Sequence, residues 1–316
     1  MKIIFMGTSE FAVPSLEALA AQHDVVAVVT QPDRPKGRSG KPAPPPVKEV
    51  AQRLGIQVLQ PESAKKKEFF ETLAGFGAEL FVVASYGQIL PIRILNMPRY
   101  GCLNVHASLL PRHRGASPIQ MAIICGDETT GVTIMQMDKG IDTGDMLLKC
   151  EIPIDDADTA QTLHDKLAAL GASALLETLE FLQRGELTPQ PQNNDEATHA
   201  HILTKEMGRV DWHQTPRQIV NLARGLNPWP GAYTMLDGGV LKIWKADYSN
   251  IEIPPNAVAG QILVADNNGL VVCANGGAVR LAQIQVAGGR RMADVDFLKG
   301  HAIKQGTVLG ESLNEN

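Results

Sequence analysis

The sequence predicts an α/β protein in two parts: a doubly wound, mostly parallel sheet, followed by a small C-terminal β-barrel of OB-like type. Three observations predict it. From Lys2 to Ser108, short apolar runs alternate with segments of helical period, the pattern of βαβ units. Next, "TGVTIMQMD" and "GDMLLKCEIPI" flank the turn-rich "KGIDTG", which predicts an antiparallel hairpin added to the sheet. Beyond a polar stretch with two prolines, the remaining runs are short, β-rich and punctuated by Gly, Asn and Asp, as in a small barrel.

The elements follow in order. "KIIFMG" is an apolar run closed by Gly7 and predicts the first strand; it is far too short for a signal-peptide core. Thr8 and Ser9 are candidate caps for a helix through "EFAVPSLEALAA", where Phe11, Leu16 and Leu19 share a face. "VVAVVT" predicts a strand buried on both faces. "IQVLQ", "AELFVVASYG" and "GCLNVHAS" continue the sheet, with "PVKEVAQRLG" and "AKKKEFFETLAG" as intervening helices. After the hairpin comes a long helix that Asp158 can cap with Gln161 at N3. Leu163, Leu167, Leu170 and Ala174 form its stripe, and Gly185 can close it. The polar stretch 186–205 predicts a linker, which sets domains at 1–189 and 207–316 with a linker at 190–206. A short helix at "TPRQIVNLARG" precedes the barrel runs "GAYTMLD", "GVLKIWKA", "AGQILVAD", "GLVVCA" and "AVRLAQIQV".

Composition narrows the function classes. A hydrophobic content of 44% and a charged content of 20% describe a globular chain able to bury a large core. The net charge of −5 provides no global field for nucleic acid, so any polyanion site must be local. The four cysteines are far apart with no C-x-x-C pair, which points to reduced thiols and to neither zinc nor a disulfide framework. No apolar stretch approaches the ~18 residues of a membrane span. A soluble, cytoplasmic monomer without bound metal is the expectation.

The candidate chemistry centres on "NVH". Side chains at i and i+2 of a strand share a face, so Asn104 and His106 point together at the carboxyl end of a sheet strand, where open α/β sheets bind ligands. An amide donor beside an imidazole suits carbonyl chemistry: one can stabilise a developing oxyanion, the other can move a proton. In "IDTGD", Asp142 lies in a glycine-bounded turn from which a carboxylate can orient His106. "SLLPRHRG" provides two adjacent leucines for a flat apolar ligand, and Arg112 and Arg114 for an anion. Residues 31–48 carry Arg34, Lys36, Arg38, Lys41 and Lys48 against Asp33, a local +5 − 1 = +4 suited to a phosphate backbone. The C-terminal part is near neutral, so a nucleic-acid contact there needs a patch; Lys242, Lys245, Arg290 and Arg291 are the candidates. Trp212, Trp229 and Trp244 are expected in packing, and His199 and His201 in solvent.

Together, "GCLNVHASLLPRHRGASPIQ" and "GVTIMQMDKGIDTGDML" resemble the signature of the folate-dependent formyltransferases. "IIFMGTSEFAVPSLEAL", "VVTQPDRPKGRSGKPAPPPVK", "LARGLNPWPGAYT" and "VLKIWKA" extend the resemblance to both domains, toward members that formylate initiator methionyl-tRNA. The chain departs from the pattern at "GTSEF", more often "GTPDF", and at His113, where Trp or Tyr is usual. The resemblance implies catalysis by Asn104, His106 and Asp142, with 10-formyltetrahydrofolate as co-substrate. It implies a folate wall of Ser108, Leu109, Leu110 and Pro111, with the pterin held by backbone near 87–91, at Gln88, Ile89 and Leu90. It also implies tRNA contacts by Arg34, Lys36, Arg38 and Lys41, and by Lys242 and Lys245 in the second domain. Two alternatives stay open at this point: a formyltransferase acting on an amino-sugar nucleotide, and a tRNA-binding protein without catalysis.

Overall fold

The computed structural model describes residues 1–35 and 42–310. They form two compact units. The first holds Met1–Pro118, Thr129–Pro153 and His164–Ala200; the second holds Ile119–Glu128, Ile154–Leu163 and the chain from His201 on.

The first unit is built on seven strands: β1 (Lys2–Gly7), β2 (Asp24–Val29), β3 (Val58–Leu59), β4 (Leu80–Ala84), β5 (Cys102–His106), β6 (Thr129–Gln136) and β7 (Met146–Pro153). Their order across the sheet is β7-β6-β5-β4-β1-β2-β3. Strands β3, β2, β1, β4 and β5 are parallel, while β6 runs antiparallel to both β5 and β7. This is the expected parallel sheet with the hairpin appended. Buried runs such as Ile3, Ile4, Phe5 and Met6 explain why β1 sits inside the sheet, between β4 and β2. Burial of each such side chain contributes about 1.5–3 kcal/mol.

Helices α1 (Val13–Gln22), α2 (Pro46–Arg53) and α3 (Lys67–Gly75) fill the crossovers. Thr8 and Ser9 do not cap α1, which enters through a turn at Glu10–Ala12. Instead the Thr8 hydroxyl donates to the Tyr86 carbonyl over 2.8 Å, and that of Ser9 to Ser85 Oγ over 2.7 Å, tying the ends of β1 and β4 together. A further helix, α4 (Pro118–Cys125), leads into β6, and α5 (Ala160–Arg184) is the long helix expected after β7. Thr159 and Thr162 bond reciprocally at the start of α5, while Asp158 accepts from the Thr162 hydroxyl. Leu163, Leu167 and Ala174 are buried as expected, whereas Leu170 is half-buried. Gly171 belongs to the same stripe: a Cβ there would meet Val105 Cγ1 at 2.8 Å, so only glycine lets α5 lie this close to β5.

In the second unit, β8 (Ala232–Leu236), β9 (Gly239–Ser249), β10 (Ile262–Asp266), β11 (Gly269–Ala274) and β12 (Gly277–Val286) form an antiparallel sheet in the order β8-β9-β12-β11-β10. The C-terminal segment closes the ring: Gly310 N–H donates to Met235 O beside one edge, and Ile262 N–H donates to Thr307 O at the other. Along those bonds the edges are covered against pairing with another chain. Helix α6 (Pro216–Gly225) begins with a capping box of Thr215 and Gln218, and buries Ile219, Val220 and Ala223 in the barrel core. The last helix, α7 (Asp294–Gly300), is fixed by Asp294, whose carboxylate pairs with Arg280 at 2.7 and 3.0 Å and accepts from Leu270 N–H. No helix among the described residues is long and apolar enough to cross a membrane.

Candidate active site

The carboxyl ends of β1, β4 and β5 and the turn between β6 and β7 converge, as open α/β sheets predict for a ligand site. Strand β5 pairs with β4 through Val83 opposite Asn104, and with β6 through Met135 and Thr133 opposite Asn104 and His106. Pairing on both sides fixes the backbone that carries the two polar side chains. Cys102, on the same face, is in the core; burial pushes its thiol up to about 12, so it is an inert packing group.

Asn104, His106 and Asp142 come together. Asn104 Nδ2 donates to Asp142 Oδ1 over 3.3 Å, and His106 Nδ1 lies 3.6 Å from Asp142 Oδ2. The other ring nitrogen, His106 Nε2, is 3.0 Å from the His113 carbonyl. A carbonyl only accepts, so Nε2 carries a proton, and Nδ1 is the nitrogen free to gain or lose one on the side of Asp142. At 3.6 Å that contact is an ion-pair distance rather than a hydrogen bond, and it leaves Nδ1 free to turn to another partner. Asp142 adopts φ +54°, a left-handed conformation that aspartate tolerates better than most residues. Its Oδ2 also accepts from Gly115 N–H over 2.9 Å.

The loop after β5 divides its labour residue by residue. Ser108 is buried, its hydroxyl donating to Arg112 O over 2.6 Å and its carbonyl accepting from Thr133. Leu110 packs with Met135 and Met146. Of the expected folate wall, Leu109 and Pro111 therefore keep exposed surface, while Ser108 and Leu110 hold the loop in shape. Around the expected pterin site the Gln88 side chain is engaged, its Oε1 accepting from Ala64 N–H and its Nε2 donating to Pro61 O, which leaves the expected backbone contact untouched. Leu90 is in the core, and Ile89 is 71% exposed. Beside them a cleft of about 360 Å³ is lined by Gln31, Arg34, Ser63, Lys65, Gly87 and Ile89, among others. It opens at the ends of β2 and β4.

The basic segment is only partly described. Arg34 is exposed, in a short antiparallel pair of Arg34–Pro35 with Pro42–Ala43. Lys48 is bound to Asp33 at 2.7 Å, and hydrogen bonds from Gln60 and then Lys48 hold that carboxyl below its ordinary value. Lys36, Arg38 and Lys41 lie outside the described residues.

In the second unit, Lys242 and Trp244 stand on the outer face of β9. Lys242 Nζ lies 5.9 Å and Arg291 Cζ 4.9 Å from the Trp244 ring, and Trp244 Nε1 donates to Gln285 over 2.9 Å. Lys245 is paired with Asp247 at 3.3 Å. Trp212 is buried as expected, its Nε1 donating to Thr234. Trp229 is not: it is 55% exposed, because the prolines and glycine around it make a surface loop.

Residues 190–200 differ most from expectation. The expected linker is fastened to the first unit from Gln190 onward. Gln190 and Met146 exchange both backbone hydrogen bonds at 2.8 Å, and His199–Ala200 forms a parallel pair with Arg114–Gly115. Within it Gln192, Asn194 and Thr198 bond to the residues around the site, while Asn193, Asp195, Glu196 and His199 are exposed. Among the described residues there is no cluster of three His, Cys, Asp or Glu side chains able to hold a metal ion.

Comparison with known proteins places the chain in a family. Residues 1–179 match the family model described as formyl transferase, and residues 202–302 match the formyl transferase C-terminal domain. The methionyl-tRNA formyltransferase of Caldanaerobacter subterraneus subsp. tengcongensis is 53% identical over 98% of this chain and 100% of its own length. That of Geotalea uraniireducens is 47% identical over 98% of both chains. Among solved structures, the Helicobacter canadensis N-formyltransferase, complexed with folinic acid and dTDP-3-aminofucose, shares the fold. It has a TM-score of 0.66 and 18% identity, over 92% of this chain and 100% of that one. HypX from Aquifex aeolicus, in complex with tetrahydrofolic acid, shares it at a TM-score of 0.61 and 18% identity, over 97% of this chain and 50% of that one.

Proposed function

This chain belongs to the methionyl-tRNA formyltransferase family, and from that premise we propose that it moves the formyl group of 10-formyltetrahydrofolate onto the α-amino group of methionine on initiator tRNA, with Asn104, His106 and Asp142 as the working residues. The observation that carries the assignment of residues is the convergence of an amide, an imidazole and a carboxylate on one strand end and one turn.

The residues fit a folate. Ile89, Leu109 and Pro111 offer apolar surface to a flat ring system, and the backbone of 88–90 offers hydrogen-bonding groups, since the Gln88 side chain is engaged elsewhere. When bound, the folate supplies an activated formyl carbon. The methionyl amine needs no strong base, because an α-amino group titrates near ~8 and a useful fraction is neutral at pH 7. As the amine adds to that carbon, the formyl oxygen gains negative charge. Asn104 Nδ2 has a second hydrogen for it, and a proton on His106 Nδ1 supports the same charge. Asp142 keeps both groups on station. As the adduct collapses, the bond to the folate nitrogen breaks; His106 Nδ1 gives its proton to that departing nitrogen and takes one from the former amine nitrogen, which restores it.

The tRNA reading draws on two features. Arg34 stands at the rim of the cleft beside Lys65, and the basic stretch around it carries Lys36, Arg38 and Lys41. Lys242, Trp244 and Arg291 place cations around an aromatic ring on the barrel's outer face, a combination suited to nucleic acid, with Lys245 as a weaker participant because of Asp247. The expected division, catalysis within 1–189 and tRNA binding by 207–316, belongs to the same proposal, as does a cytoplasmic location.

One assay tests the function. The protein is incubated with formylfolate and either charged initiator tRNA or an amino-sugar nucleotide. Formyl-methionyl-tRNA is the expected product. Formylation of the sugar alone contradicts the proposal, and turnover of neither supports a binding protein.

A further inference from the structure

The basic tail "RHRG" and the expected linker meet behind Asp142, and their contact gives the catalytic turn a second anchor. The carbonyls of Asp142 and Gly144 both accept from Gln192 Nε2, at 2.8 and 2.7 Å, so each amide hydrogen holds one end of the turn. Gln192 Oε1 is itself held by Arg114 Nε over 2.9 Å, and Arg114 Nη2 donates to Asn194 Oδ1 over 2.9 Å. Arg114 is 5% exposed. Its backbone N–H donates to Thr198 O, and the neighbouring Gly115 N–H is the group that holds Asp142 Oδ2. The Gln190–Met146 bonds set the register two residues before Gln192, which places its side chain over the turn.

The turn needs such support. Asp142 sits at φ +54°, and a non-glycine residue in that region is strained unless its surroundings over-determine it. Gln192 supplies two of the bonds that do so, from a segment 50 residues further along the chain. A glutamine whose two hydrogens and oxygen are all engaged cannot rotate without breaking at least one bond.

We propose that Gln192 is a positioning residue for formyl transfer: with Arg114 behind it, it holds the Asp142 turn so that the carboxylate stays against Asn104 and His106. It touches backbone and not the reacting atoms, and the proposal rests on the reading of Asp142 given above. Gln192→Leu removes both donors. Gln192→Glu has the same size and keeps an acceptor for Arg114, but sets an oxygen against the two carbonyls.

The test is steady-state kinetics with formyltetrahydrofolate and charged initiator tRNA, using both Gln192 variants, Asp142→Asn, and Gln192→Leu combined with Asp142→Asn. Displacing a catalytic group by about 1 Å lowers turnover roughly 100-fold, so kcat of each Gln192 variant should fall about 10- to 100-fold while both KM values stay close to wild type. In the Asp142→Asn background, Gln192→Leu should add little, because both changes act through one carboxylate. Wild-type kcat in both Gln192 variants, with Asp142→Asn slow, overturns the proposal and spares the catalytic reading. Equal fold-losses in the two backgrounds also overturn it, since they indicate a general structural role. Wild-type turnover in Asp142→Asn overturns the reading beneath it, and the proposal with it.

Discussion

Gly115 N–H donates to Asp142 Oδ2 over 2.9 Å, joining the loop after the strand of Asn104 and His106 to the turn of the hairpin that follows. Gly115 does so at φ +116°, with Ala200 O only 2.6 Å from where a Cβ would stand. An alanine there would push the loop from Ala200 and pull the N–H from the carboxylate. Gly115→Ala is therefore expected to destabilise the protein by about 1–3 kcal/mol and to slow formyl transfer. Thermal unfolding and kcat measured side by side check it; a variant with both at wild-type level would contradict the close approach.

The outer barrel face makes a graded prediction. Lys242 stands over the Trp244 ring, whereas Lys245 is paired with the Asp247 carboxylate. Lys242→Ala should weaken tRNA binding across salt concentrations and lower the salt slope by about 1, and Lys245→Ala should do less. Filter binding of tRNA as a function of salt reads both slopes. Equal effects of the two changes would remove the distinction drawn from the Asp247 pair.

Acid stability follows from the second unit. Burial alone would raise the Asp294 carboxyl, but Arg280 and the N–H groups of Leu270 and Val295 hold it below its ordinary value. A carboxyl depressed in the folded state stabilises the protein above the ordinary carboxylate range and loses that contribution as pH falls through its folded value. Asp294→Asn should cost on the order of 2 kcal/mol at pH 7 by leaving Arg280 unpaired, less than for a fully buried pair because Arg280 stays partly exposed. The gap to wild type should narrow below about pH 4. Denaturant unfolding at a series of pH values measures it, and a gap independent of pH would refute the linkage.

Much of this was legible in the residues. Buried apolar runs alternating with helical stripes announce the parallel sheet, because strands covered on both faces need no alternation. Asn104 and His106 stand out because an i, i+2 pair of polar groups is costly in an apolar strand unless it works. Asp142 is legible more faintly, since hairpin turns use Asp for local reasons too. Gln192 was not legible: its bonds to Asp142 and Gly144 join parts of the chain 50 and 48 residues apart, and a glutamine in a proline-containing polar stretch reads as solvent-facing. Thr8 and Ser9 depart from expectation for the same reason. Each has the right chemistry for a local role and is taken up by a partner distant in sequence. The closure of the barrel by Gly306–Gly310 likewise depends on backbone bonds that no side-chain pattern encodes.

The central claim is that His106 works on the reacting group and does not merely fill its strand. The most direct measurement is the single-turnover rate of formyl transfer by His106→Ala, at saturating formyltetrahydrofolate and charged initiator tRNA, with folate affinity measured in parallel. Loss of a positioned proton-transfer group lowers the rate by roughly 10²- to 10⁴-fold, and folate affinity should change far less. A rate that survives the substitution intact would contradict the assignment.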